Sequence, residues 1–294
     1  MFAQWRGRFD QISSGPFEST LRVVRVGALR LTEIEVNQRV RSRGQDVGGL
    51  FSAHLVTETS AGSVWQGRRL QPGQIVANGV ETGVDHLTAR QAKHLGLFLS
   101  PELLNEAARA ILGRDDASVP ETWASCTPSP KAFSALSRTV SRLFQIGAAT
   151  PELLSTTEGR HLEQETIQKL VDTLFRQGDL RPGLPHTVRR TIVRSAEDFM
   201  RSHLADPVST LDLCREANTS GRTLRLAFRE HYGLGPMTYF RYLRLNAVRD
   251  QLRNSSTVPI AEIARRLGFH HLGNFAADYR RLFGERPSET WRRR

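Results

Sequence analysis

Cysteine is almost missing: the 294 residues include two, Cys126 and Cys214, far apart and with no Cys or His at ligand spacing. That excludes a disulfide framework and offers no zinc-ligand pattern, which fits a reducing compartment. Long apolar runs are also absent. No stretch approaches the roughly 18 uncharged apolar residues of a membrane span, and the opening MFAQWRGRFD lacks the apolar segment of a signal peptide. A soluble, cytoplasmic protein with no membrane partner is therefore expected. Common catalytic signatures are missing too: there is no G-x-S-x-G elbow and no P-loop. His54, His86 and His94 do not make the closely spaced H-x-H pattern of a β-barrel metal site. The expectation is no catalytic residue, no metal, no cofactor and no enzyme.

What is present is a soluble globular composition, 39% hydrophobic and 24% charged, with length for two domains. The net charge of +11 is unevenly placed. Residues 1–186 hold 21 Lys and Arg against 19 Asp and Glu, whereas residues 187–294 hold 20 against 11. A basic excess confined to one region attracts polyanions, because neutralising phosphates releases their counterions.

Residues 20–36, TLRVVRVGALRLTEIEV, are rich in Val, Leu and Ile around Gly27, which predicts two strands pairing about a bend. Similar short segments at 50–58, 63–66, 74–78 and 94–99 are separated by turn signals such as QPGQ. They predict a small barrel or sandwich within a β-rich stretch, 1–100. The texture then turns helical over 100–177. Ser100 reads as an N-cap before Pro101, and Gly113 closes that helix. Segments 130–146 and 151–177 are amphipathic, with Leu136, Val140, Leu143 and Phe144 at three and four spacing. Their apolar faces can pack on the barrel or form a homodimer interface. GDLRPGLPHT, 178–187, gathers Gly and Pro where the charge steps, so it reads as a linker between 1–177 and 188–294.

The second region repeats itself. Leu213, Cys214 and Asn218 match Ile263, Ala264 and Gly268 at an offset of 50, while Leu224, Phe228, Gly233 and Pro236 match Phe275, Tyr279, Gly284 and Pro287 at an offset of 51. Each copy reads as a short helix (211–217; 260–267), a tight turn and a second helix (220–231; 271–283). Asn218 and Gly268 are residue types that tolerate the positive φ such a turn requires. This is helix-turn-helix grammar. With Leu224, Ala227 and Phe228 inward, Arg222, Arg225 and Arg229 share the outward face of the first unit's second helix. Arg222 and Arg225 are the candidates for bidentate contact with guanine, and Arg229 for base or phosphate. The second unit's outward face holds Gly273, Asn274, Ala276, Ala277 and Arg280. It predicts weak base reading by Asn274 and His271, with His270 at the turn, and phosphate anchoring by Arg280 and Arg281. The segment 237–254 between the units predicts a long helix that would set the two reading helices about one DNA turn apart, roughly 34 Å.

The runs LCREANTSGRTLRLAFREHYGLGPMTYFRYLRL and IAEIARRLGFHHLGNFAADYRRLFGERPSET resemble the DNA-binding domain of AraC/XylS-type bacterial transcription regulators over 189–294. The shared features are the IA pair, the GF turn, the aromatic of the second helix and the closing G-x-x-P. Cys214 stands where the family usually has Ala, and Asn218 where it often has Gly. The resemblance implies an α+β protein with an N-terminal cupin-like β-barrel flanked by helices and a C-terminal all-α domain of two helix-turn-helix units. It also implies double-stranded promoter DNA and RNA polymerase as partners, and a small-molecule effector bound by 1–177. Trp65, Asn78 and His86 are the candidate effector contacts. Control by a protein partner, and non-specific architectural DNA binding, are the competing readings.

Overall fold

The computed structural model describes residues 5–46, 49–57, 62–80, 83–113, 120, 122–176, 180–182, 188–254 and 257–293. Most of the expected linker, 178–187, lies outside the described residues. The chain forms two compact units. The first comprises Met1–Arg8, Ser19–Asn37 and Arg43–Leu184, and the second Pro185–Arg294 with two short stretches, Phe9–Glu18 and Gln38–Ser42. A simple division into 1–177 and 188–294 therefore differs from the observed units in those two stretches.

In the first unit, Gly27 at φ 54° turns β2 (Ser19–Val26) into β3 (Leu29–Val36), which pair antiparallel as the Val- and Leu-rich run predicts. The strands make two sheets instead of one closed barrel. The larger has the order β12 (Arg181–Pro182), β11 (Trp123–Cys126), β8 (Ile75–Asn78), β5 (Phe51–Val56), β10 (Ala92–Leu99), β3, β2. The smaller has the order β1 (Trp5–Gln11), β4 (Val40–Asp46), β9 (Val84–Leu87), β6 (Val64–Trp65), β7 (Arg68–Arg69). Strands β1 and β4 are not foreseen because they are rich in charged and polar residues, and their buried positions include Asp10, Gln11 and Arg41.

Helices cover one face of the larger sheet. α1 (Pro101–Leu112) begins at Ser100, whose hydroxyl accepts from the Leu103 N–H, and ends at Gly113 with φ 63°, as the sequence suggests. α2 (Pro130–Ala149) buries Leu136, Val140, Leu143 and Phe144 in the unit's own core, against Leu31, Phe51, Leu97 and their neighbours. Those apolar residues are thus spent on the intramolecular core. The expected single helix over 151–177 is broken. A 3-10 turn, Pro151–Ser155, precedes α3 (Thr157–Val171), and a π-helical turn, Asp172–Arg176, follows it. The Thr156 hydroxyl donates to the Leu153 carbonyl at 2.7 Å, a local alternative to the helical ladder. Gly159 permits the break, because a Cβ there would lie 2.3 Å from the Leu154 carbonyl oxygen.

The second unit is built on helices: α4 (Val188–Ser202), α5 (Thr210–Glu216), α6 (Gly221–Tyr232), α7 (Pro236–Asn254), α8 (Ile260–Arg266), α9 (Leu272–Phe283) and α10 (Pro287–Arg292). No described helix is long and apolar enough to cross a membrane.

Candidate nucleic-acid interface

The reading surface depends first on how each helix pair is held. α5 opens with a capping box: Ser209 Oγ accepts from the Asp212 N–H, and Asp212 Oδ2 accepts from the Ser209 N–H at 2.8 Å. The turn passes through Asn218 at φ 45°, and Ser220 caps α6 by accepting from the Thr223 N–H. α6 stops at Gly233, φ 71°. The second pair repeats this with Gly268 at φ 79° in its turn and Gly284 at φ 74° after α9. Both expected positive-φ positions are therefore realised.

Behind α6 lies an aromatic and ionic core. Tyr232 and Tyr239 stack with centroids 4.1 Å apart, and Phe228 packs on both. Both hydroxyls donate to Glu197, Tyr232 at 2.7 Å and Tyr239 at 2.9 Å. Arg201 of the same helix and Arg41, from the 38–42 stretch, complete its shell at 2.7 Å and 3.1 Å, and Arg201 also holds Asp10 at 2.7 Å. Burial alone would raise the Glu197 pKa, but the charges of Arg41 and Arg201 and the Tyr232 hydroxyl outweigh it, so the carboxyl is held well below the usual range. Burial, with Glu197 beside it, pushes the Tyr239 phenol up. Gln11 and Asn246 exchange bonds of 3.0 and 2.9 Å, and Gln11 Nε2 donates to the Leu282 carbonyl at 2.7 Å, so the 9–18 stretch touches both the connecting helix α7 and α9.

Behind α9, Phe275, Tyr279, Leu282 and Phe283 are buried with Ile263, Ala264 and Val248. The Tyr279 hydroxyl lies 2.8 Å from the Thr290 hydroxyl, and burial pushes its pKa up to about 12. Arg249 pairs with Glu285 at 2.9 Å and lies over the Phe283 ring. Arg244, which lies over Phe240, donates to the carbonyls of Leu204 and Asp206. These arginines of α7 are structural.

With Leu224, Ala227 and Phe228 buried, Arg222, Arg225, Leu226 and Arg229 are exposed together on α6. Glu230, beside them, is taken up by Arg189 at 2.6 Å. Among the described residues, Arg222, Arg225, Arg229 and Arg280 have no carboxylate partner, so their charges are available to an incoming anion. Arg281 differs, pairing with Asp278 at 3.2 Å, an acid that Arg241 also reaches. On α9, Gly273, Asn274, Ala276, Ala277 and Arg280 are exposed, and His271 occupies the N-cap with no side-chain capping bond. His270 is exposed in the preceding turn. Residues 187–294 contain arginine and no lysine, and arginine is the side chain whose planar fork matches guanine edges and phosphates.

The first unit brings the three candidate effector residues together. Trp65 Nε1 donates to Asn78 Oδ1 at 3.3 Å, and its ring lies 4.9 Å from that of His86. Two residues not singled out as contacts complete the group: His54, 4.8 Å from Trp65, and His94, 4.7 Å from His86. Desolvation lowers the His54 pKa to about 3, helped by His94, and that of His94 to about 4. Both imidazoles are therefore neutral at pH 7. The alternation of β5, in which Ser52 and His54 face away from Phe51, Ala53 and Leu55, carries the signal that links His54 to Asn78 through Ser52. Among the described residues no group of His, Cys, Asp and Glu is arranged to hold a metal ion.

Residues 213–294 match the family described as "Helix-turn-helix domain". The chain is 33% identical over 114 residues to the "Probable thc operon regulatory protein" of Rhodococcus erythropolis, covering 38% of this chain and 33% of that protein. It is 38% identical over 98 residues to the "XylDLEGF operon transcriptional activator 3" of Pseudomonas putida, covering 33% of this chain and 30% of the relative. It thus spans about a third of the length of these curated relatives. A solved structure of a probable AraC family transcriptional regulator from Rhodopseudomonas palustris is 33% identical, covering 35% of this chain and 95% of that one, with a TM-score of 0.33.

Proposed function

Because its C-terminal domain is an AraC/XylS-type double helix-turn-helix domain, we propose that the chain is a sequence-specific transcription regulator whose first unit binds a small-molecule effector. The observation that carries the DNA part is the outward face of α6, where Arg222, Arg225 and Arg229 stand exposed, without acidic partners among the described residues, over a buried inward face of Leu224, Ala227 and Phe228. Arg222 and Arg225 reach guanine O6 and N7 in the major groove, and Arg229 holds a phosphate. On α9, Arg280 anchors the backbone, Asn274 and His271 contact base edges, and Arg281 contributes less because it shares charge with Asp278. RNA polymerase is the expected partner at the promoter.

Selection of preferred sites from random duplex DNA at fixed, physiological salt tests this. An asymmetric motif spanning about two helical turns is expected. The Arg225→Ala variant should relax preference at one or two base pairs, at about 1 to 3 kcal/mol each, while keeping the rest of the motif. Equal affinity for all sequences would instead fit an architectural binder.

The effector site is the layer holding Trp65, Asn78, His86, His54 and His94. Its aromatic faces and neutral imidazoles suit an uncharged or weakly acidic organic molecule with hydrogen-bonding groups. A ligand of this kind raises the thermal stability of the chain, by an amount that grows with the logarithm of its free concentration above Kd. Trp65→Ala should abolish that shift without changing the DNA motif.

A further inference from the structure

The two reading helices share one register but differ in chemistry. α6 buries Leu224 and Phe228 where α9 buries Phe275 and Tyr279, 51 residues later. At the same offset, the exposed Arg222, Arg225 and Leu226 are replaced by Gly273, Ala276 and Ala277, all exposed, while Arg229 keeps a counterpart in Arg280. The phosphate-type arginine is retained and the base-reading arginines are lost. In their place is an open cleft of about 470 Å³, whose lining includes Ile260, Ala261, Leu272, Ala276 and Ala277. Arg280 and Arg286 also line it, and no carboxylate does. Around Gly273 the space is open, with no atom beyond its own stretch of helix backbone within 4 Å of where a Cβ would stand, so another surface can come close to the helix there.

An apolar, small-residue surface with arginines and no acid is complementary to one feature of duplex DNA. In the major groove the thymine 5-methyl is the apolar group, and it is recognised by alanine-sized side chains. Closeness is necessary because dispersion and desolvation act only at contact distance. We propose that α9 reads thymine methyl groups through Ala276 and Ala277, with Arg280 and Arg286 holding the adjacent phosphates. α6 reads guanine by hydrogen bonding, so the two half-sites of one target differ in their main force, methyl contact adding to the base-edge contacts of Asn274 and His271 at the second. This rests on the reading of the chain as a sequence-specific DNA binder and names what its second unit recognises.

The test uses the full chain and the site obtained by selection. The half-site whose preference changes in Arg225→Ala belongs to the first unit, and the other half-site to the second. Each thymine is then replaced singly by deoxyuridine, which removes the methyl and keeps the base pairing. Affinity should fall about fourfold at one or two thymines of the second half-site, the effect of one buried methyl-sized group. No loss is expected in the first half-site. The Ala276→Arg variant, altered at an exposed helix position, should erase the uracil penalty and shift preference towards guanine at that step. A bipartite motif whose second half is indifferent to every uracil replacement overturns the proposal and leaves the cleft to a different occupant, an acidic and apolar polypeptide. A selection that returns no motif overturns the DNA-binding reading itself, and this inference with it.

Discussion

Glu197 is the residue on which the first reading helix rests. It is 1% exposed, and Arg41, Arg201, Tyr232 and Tyr239 all bond to it. Glu197→Gln keeps the shape but strands two guanidinium groups beside a neutral amide, so a loss of about 3 kcal/mol or more is expected in urea unfolding of the full chain. The native carboxyl titrates below its unfolded value, so its stabilisation is complete above the ordinary carboxylate range and is lost as pH falls from there through the depressed folded value. The variant should lack that acid-side decline. The same sign applies to His54 and His94. Their folded pKa values, about 3 and about 4, lie below the unfolded 6.5, so the unfolded chain binds more protons between those limits. First-unit stability should be full above pH 6.5 and decline towards pH 4, by at most about 2 kcal/mol per imidazole at pH 5 because each side chain keeps an accessible edge. Thermal melts across that range check it. A flat profile would mean that these imidazoles titrate normally in the fold.

At the scale of elements, the second helix-turn-helix turn depends on Gly268 for two separate reasons. Its φ of 79° is strained for any residue with a Cβ, and an added Cβ would meet the Arg244 guanidinium at 2.7 Å. Arg244 cannot easily retreat, since it is bonded to the carbonyls of Leu204 and Asp206. Gly268→Ala is expected to cost about 1 to 3 kcal/mol, read by chemical denaturation, whereas Asn218→Gly in the first turn should be neutral or slightly stabilising. The break before α3 belongs to the same scale. Its residues read as one amphipathic helix because periodicity reports a face, not the side-chain bonds of Thr156 or the close approach at Gly159 that interrupt the ladder.

At the scale of the whole molecule, charge decides how the second unit meets a polyanion. With Arg229, Arg280 and Arg286 assigned to phosphates, the logarithm of the binding constant should fall with the logarithm of salt concentration at a slope of about −3 or steeper. Arg280→Ala should reduce that slope by about 1 with the motif unchanged, as filter binding or anisotropy across salt concentrations can establish. An unchanged slope would remove Arg280 from the phosphate contacts. Charge counting does not show that two stretches from the start of the chain, 9–18 and 38–42, are part of this unit. They bring Asp10 and Arg41 to a network that would otherwise leave Glu197 and Arg201 less satisfied.

The sequence by itself determined what is local. The helix cap at Ser100, the positive-φ turns at Asn218 and Gly268, the repeat at offsets of 50 and 51, and the inward and outward faces of α6 and α9 all follow from propensity and periodicity over a few residues. It also named Trp65, Asn78 and His86 individually. Only the tertiary structure decided what depends on distant partners. It split the strands into two sheets, added His54 and His94 to that group, and joined residues 9–18 and 38–42 to the helical unit. The physical reason is the same in each case. Burial of a polar or charged side chain is tolerated only with its partners in place, and those partners come from parts of the chain that no local pattern relates.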